Sequence, residues 1–240
     1  MVRVEACING DSAEIAAQNA MEAYEGGADT IELCASMEED GLTPAIDGIA
    51  AARAAFPRRG LMVMIRPRAG DFVYTEREYE EMEASIAMAA GQGVDGVVFG
   101  AIDKRGLIDV EGLRILMNQS QSAGLSATFH RAFDVLEDRL TGLETLIDFG
   151  VDRILTSGVA WGLPGGALEG KETLKALLEA ADGRIEIVIG GSVGAANATE
   201  IVRSLGRYSG LLSLHAYSGV QENGSTARSK VRALAEAANR

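Results

Sequence analysis

Gly27-Ala28-Asp29-Thr30-Ile31-Glu32-Leu33-Cys34 is the stretch from which the architecture follows. A glycine able to take the left-handed conformation closes a helix, an aspartate follows, and a short, largely apolar run opens a strand. The same device returns as Gly93-Val94-Asp95 and Gly150-Val151-Asp152. These introduce strands 2, 4 and 6, so a weak repeat of two strand–helix units runs through the chain.

Outward from this stretch, short apolar runs alternate with helical patterns. Strands are predicted at 2–7, 29–34, 61–66, 95–99, 125–130, 153–156, 185–190 and 211–215. Runs 61–65 and 185–189 are nearly continuous in Val, Ile, Leu and Met, as parallel strands covered on both faces should be. Asp11-x-x-Glu14 and Thr75-x-x-Glu78 have the form of capping boxes. Buried helix stripes are expected at Tyr79, Met82, Ile86 and Ala89, at Leu174, Leu177, Leu178 and Ala181, and at Val231, Leu234, Ala235 and Ala238. Eight such units without a Pro- or Ser-rich linker predict one α/β domain over 1–240, a (β/α)8 TIM-type barrel of parallel strands. An open doubly wound sheet is the alternative, but it would gather polar residues at one switch point, whereas here they end nearly every strand.

The formal charge of −13 argues against nucleic acid or an anionic membrane as partner, because phosphate binding runs on Lys and Arg. No run approaches the roughly 20 apolar residues of a membrane span, and the start Met1–Cys7 lacks a signal-peptide pattern. A cytoplasmic location is expected, with Cys7 and Cys34 as thiols.

The chemistry-bearing residues end the strands. Glu5-x-Cys7 and Glu32-x-Cys34 close strands 1 and 2, neighbours about 4.8 Å apart. Residues two apart share a face, so Glu5 and Glu32 should point into the barrel beside the cysteines and need basic partners. The expected partners lie downstream: Arg66 and Arg68, with Asp71 close behind, follow strand 3. His130, Arg131 and Asp134 follow strand 5, Ser157 follows strand 6 and His215 ends strand 8. Both histidines of the chain thus stand at strand ends. One Glu–Arg pair or one strand-end histidine is commonly structural; the joint occurrence at the carboxyl face points to a ligand site.

Two motifs keep two readings each. The loop Gly190-Gly191-Ser192-Val193-Gly194 after strand 7, read as opening a helix with Asn197 in its first turn, offers amides to an anion or is simply a tight turn. Cys7 and Cys34, with Met64 as a thioether, suit Cu(I), yet buried cysteines also serve as small apolar residues.

The strings Ala28-Asp29-Thr30-Ile31-Glu32-Leu33-Cys34, Met64-Ile65-Arg66-Pro67-Arg68, Thr128-Phe129-His130-Arg131-Ala132-Phe133-Asp134 and Ile154-Leu155-Thr156-Ser157-Gly158 resemble the CutC family, named for copper homeostasis. The resemblance spans nearly the whole chain. It implies a cytoplasmic TIM barrel, a homo-oligomer (dimer or tetramer) and copper handling, with Cys34 a Cu(I) ligand. Two positions depart from the family pattern: Asp40 precedes Gly41-Leu42-Thr43-Pro44 where a glycine is usual, and Ser192 stands where a third glycine is usual.

Three functions follow. A copper-binding protein would use Cys7, Cys34 and Met64. An enzyme on a small anionic substrate, phosphorylated or not, would clamp it with Arg66 and Arg68, aided by Asp71, Arg131, Asp134, Ser157, Gly191 and Ser192. His130 or His215 would then act as acid–base with Glu5 or Glu32. No lysine lies on a strand, which disfavours a Schiff base. A barrel kept only for assembly would not need this density of buried charge.

Overall fold

A computed structural model describes residues 1–240. Its strands are β1 (Arg3–Asn9), β2 (Thr30–Cys34), β3 (Leu61–Met64), β4 (Gly96–Phe99), β5 (Ser126–Phe129), β6 (Arg153–Thr156), β7 (Glu186–Ile189) and β8 (Leu212–Ala216). They pair in parallel and in sequence order, and β8 returns to β1 to close the barrel. Helices follow each strand: α1 (Ala13–Gly26), α2 (Ile46–Ala55), α3 (Glu76–Gly91), α4 (Val110–Ser122), α5 (Arg139–Asp148), α6 (Lys171–Ala181), α7 (Ala198–Ser204) and α8 (Arg228–Ala238). This is the (β/α)8 barrel expected from the alternation. No helix is long and apolar enough to cross a membrane.

The eight strands fall within two residues of their expected bounds, and the differences have local causes. β1 runs on to Asn9 because Ile8 and Asn9 stay in register with Leu33 and Cys34. β3 ends early because the Arg66 amide turns away to the Thr43 hydroxyl. The Thr75 capping box is complete, with Thr75 and Glu78 each bonding the other's backbone amide. The one at Asp11 is not formed: Ser12 caps α1 by accepting from Ile15 N, while Asp11 holds the amide of Ser36. The α3 and α6 stripes are buried as read. In α8 Ala237 is buried and Ala235 only half so.

Period-two alternation sorts each strand. Outward residues such as Ile8, Ile31, Val63, Phe99, Phe129 and Ile187 join the main core beneath the helices. Cys7, Cys34, Met62, Met64 and Val98 form a separate apolar cluster inside the barrel. The interior is therefore sulfur-rich on the side of β1–β3, while β5–β8 contribute Thr128, Arg153, Glu186, Ser213 and His215, and this asymmetry positions the site.

Candidate functional site

At the carboxyl ends of the strands the barrel opens into a cavity of about 230 Å3. Cys7, Glu32, Cys34, Met37 and Met64 line one side. His130, Arg131, Trp161 and the loops after β7 and β8 line much of the rest, with Arg66 and Phe72 between.

The cysteine sulfurs lie 4.0 Å apart, unbridged and buried. Glu32 Oε1 is 3.4 Å from the Cys34 sulfur and 3.8 Å from that of Cys7, while its Oε2 has no partner. The Cys34 thiol facing the Cys7 sulfur brings Cys7 down to about 6, against the upward push of burial and with help from His215. Cys34 rises well above the thiol range, because Cys7 faces it and because it is buried. Burial raises Glu32 to about 8. One thiol is thus poised to ionise beside a carboxyl that holds its proton at neutral pH. Cys7, Glu32 and Cys34 offer three donor atoms close enough to share one ion.

Below the sulfurs, Glu5 is fully buried, and of its two partners the sequence offered His215 but not Arg153. Arg153, at the start of β6, reaches its Oε2 at 2.8 Å, and His215 Nδ1 meets its Oε1 at 3.0 Å. Burial would raise Glu5, yet Arg153 and His215 hold it at about 2. Burial would lower His215, but Glu32, Cys7 and Glu5 lift it well above the usual histidine range. Arg153 also contacts Glu186 at 3.4 Å, and Ser213 donates to that carboxylate. Glu5 therefore anchors His215 and does not line the cavity.

The expected Arg66–Arg68 clamp is not formed. Arg66 is buried and donates to the carbonyls of Glu39, Gly41 and Gly70, which holds the loop after β2 against that after β3. Arg68 is taken up by Asp71, Glu78 and the Val73 carbonyl, outside the cavity lining, and Asp71 lies outside with it. Asp134 is buried away from the lining, where it accepts from Thr156, Ser157 and Arg131. Ser157 is spent on that contact. Of the residues read from sequence, Cys7, Glu32, Cys34, Arg66, His130, Arg131, Gly191, Ser192 and His215 do meet around the cavity. The glycine loop does not open α7: Asn197 stands ahead of the helix and ties the loop back, accepting from Gly194 N and donating to Ser192 O.

His130 lies under Phe72 with ring centroids 4.9 Å apart. Its Nδ1 accepts from Ala132 N, and Nε2 has no partner. Burial, reinforced by Arg66, lowers it to about 3, so the ring is neutral with its proton on Nε2.

Sequence reading missed Arg153 and Met37. An arginine inside an otherwise apolar strand run was the signal for the first. Met37 sits in a short turn, Met37–Glu39, after β2, and nothing in its spacing marks it as lining a site.

A family model described as the CutC family matches residues 2–219. The chain belongs to the CutC family. A CutC family protein of Bacteroides fragilis is 44% identical over 206 residues, covering 84% of this chain and 76% of that one. The human copper homeostasis protein CutC homolog is 41% identical over 203 residues, covering 85% and 70%. A crystal structure of CutC from Streptococcus agalactiae superposes with a TM-score of 0.79 at 32% identity, covering 90% of this chain and 98% of that one. The CutC barrel described here thus carries two thiols and a carboxyl on one side of its cavity and hydrogen-bond donors on the other.

Proposed function

We propose that this chain binds Cu(I) through Cys7 and Cys34 and takes part in copper handling in the cytoplasm. The observation that carries this reading is the 4.0 Å separation of two thiols on a cavity wall. An ion about 2.3 Å from each of two sulfurs holds them roughly 3.8 Å apart at a tetrahedral angle and roughly 4.6 Å apart in line. The observed spacing falls between these values, so little movement is needed. Thiolate and thioether donors favour Cu(I) over harder ions, and Met37 and Met64 add thioethers to the same side. Glu32, with one oxygen unpartnered, is placed to complete the donor set once it gives up its proton. The relatives named for copper homeostasis agree with this chemistry. A disulfide would need the sulfurs about 2.05 Å apart, and two unbridged neighbouring thiols fit a reducing compartment.

The test is competition for Cu(I) against a chelator of known affinity, without oxygen. The wild-type chain should hold a stoichiometric ion. Cys7→Ser with Cys34→Ser should lose it while the circular-dichroism melt persists. Stoichiometric uptake by the folded double variant would rule the reading out.

A further inference from the structure

Much of the cavity cannot serve a cation. The loops after β7 and β8 run side by side, joined by a bridge between Gly194 and Gly219. Gly191, Ser192 and Val193 on one loop, and Tyr217 and Ser218 on the other, line the cavity, and none donates its backbone N–H to an acceptor in the protein. Gly191 O accepts from Ala167 N and Ser192 O from Asn197 Nδ2. A trans peptide points the next N–H the opposite way, so the Ser192 and Val193 amides turn from those partners. Left-handed backbone at Gly191 and Ser192, with φ of 90° and 55°, gives the kind of turn in which neighbouring amides converge.

Buried side chains share the shortage of acceptors. His130 Nε2 and Arg66 Nε are unpartnered on residues only 4% and 2% exposed. Arg131 spends Nε on Asp134 and one terminal nitrogen on Ser157, which leaves the other terminal nitrogen uncommitted. Buried donors without acceptors are rare in folded proteins, and here they gather in one cavity.

We propose that this side of the cavity binds the phosphate group of a small phosphorylated molecule, with the amides of 191–193 and 217–218, His130 Nε2 and Arg131 as donors. A carboxylate has two oxygens for so many donors, whereas a phosphate presents three. Loops after strands 7 and 8 hold phosphate in many barrels. The cavity of about 230 Å3 leaves room for an organic body reaching toward Glu32 and the sulfurs. No cysteine takes part, so this site stands or falls apart from the copper reading.

Trp161 is the only tryptophan, and it packs on Phe72 at 5.2 Å and beneath the Arg131 guanidinium at 5.1 Å, so its fluorescence reports on this side of the cavity. The full chain is titrated with inorganic phosphate and with glycerol 3-phosphate, against sodium chloride at equal ionic strength. Both phosphates should give saturable changes, glycerol 3-phosphate at lower concentration. Arg131→Gln and His130→Gln should each weaken binding about tenfold or more, the effect of losing one charge-assisted or buried hydrogen bond. Cys7→Ser with Cys34→Ser should bind inorganic phosphate as the wild type does. Melting curves show which variants fold, and either folded one decides the location. A response equal to that of sodium chloride overturns the site. Undiminished binding by a folded Arg131→Gln or His130→Gln overturns its location, and equal affinity for the two probes overturns the organic body.

Discussion

His130 and His215 show how far surroundings override residue type. Gly100 makes room for the first: a Cβ there would fall 2.5 Å from His130 Nδ1. So enclosed, and with Arg66 near, His130 is held to about 3, whereas His215 against Glu5 and Glu32 is raised. The linkage signs differ accordingly. A lowered histidine contributes stability present above its unfolded value of about 6.5 and lost as pH falls toward 3. A raised one contributes stability present below about 6.5 and lost as pH rises through its folded value. Glu32, raised to about 8, also loses its contribution with rising pH, so the whole curve mixes signs. The difference from His130→Gln isolates one group. Relative to that variant, wild type should lose stability between pH 6.5 and 4, at up to about 1.4 kcal/mol per pH unit. Urea unfolding of both proteins across that range checks it, and parallel curves would mean that His130 titrates normally. The string Thr128-Phe129-His130-Arg131 placed this residue at a strand end. Its neutrality was not legible, because the burying Phe72 comes from a different loop.

At the scale of elements, the Gly-x-Asp device does more than end helices. Gly27, Gly93 and Gly150 have φ of 92°, 71° and 74°, as expected of a left-handed cap. Each aspartate then reaches back to the preceding strand: Asp29 accepts from Val4 N, Asp95 from Gly60 N and Leu61 N, and Asp152 from Ala127 N. The carboxylates satisfy amides at the amino end of the odd-numbered strands, where the ladder has no further carbonyl to offer. The period of two strands was readable, but not its purpose, because the bonds join residues 25 to 35 apart in sequence. Asp95 carries the heaviest duty, since Arg53 also meets it at 2.8 Å. Asp95→Ala should therefore cost about 2–3 kcal/mol, and Asp152→Ala, which loses one exposed-side bond, about 1 kcal/mol. Chemical denaturation of the two variants ranks them; equal losses would mean that the extra partners of Asp95 add nothing, and no loss in either would deny the device a structural role.

For the whole molecule, the barrel interior holds a polar belt of two acids and two bases, Glu5, Glu186, Arg153 and His215, of which only His215 reaches the cavity wall. The buried glutamates require basic partners, and the strand ends supply one of them, His215. Stagger supplies the other: in a tilted barrel the first residue of one strand lies level with a middle residue of another. Arg153, first in β6, pairs in register with Glu186 and is long enough to reach Glu5 across the interior. Arg66 and Arg68 sit a layer higher, past the end of β3, and bind loops instead. The belt is a floor for the site, since Glu5 anchors His215 beneath the cysteines. A buried pair is worth little against apolar residues of the same size, but removing one member strands the other. Arg153→Met should thus cost about 3–5 kcal/mol, because it leaves Glu5 and Glu186 buried without their guanidinium. Adding Glu5→Gln and Glu186→Gln should return much of that loss, since neutral amides bear burial far better than carboxylates. Denaturant unfolding of the single and triple variants decides the matter. A loss under about 1 kcal/mol in Arg153→Met, or a triple variant weaker than the single, would mean that water reaches the belt and already solvates its charges.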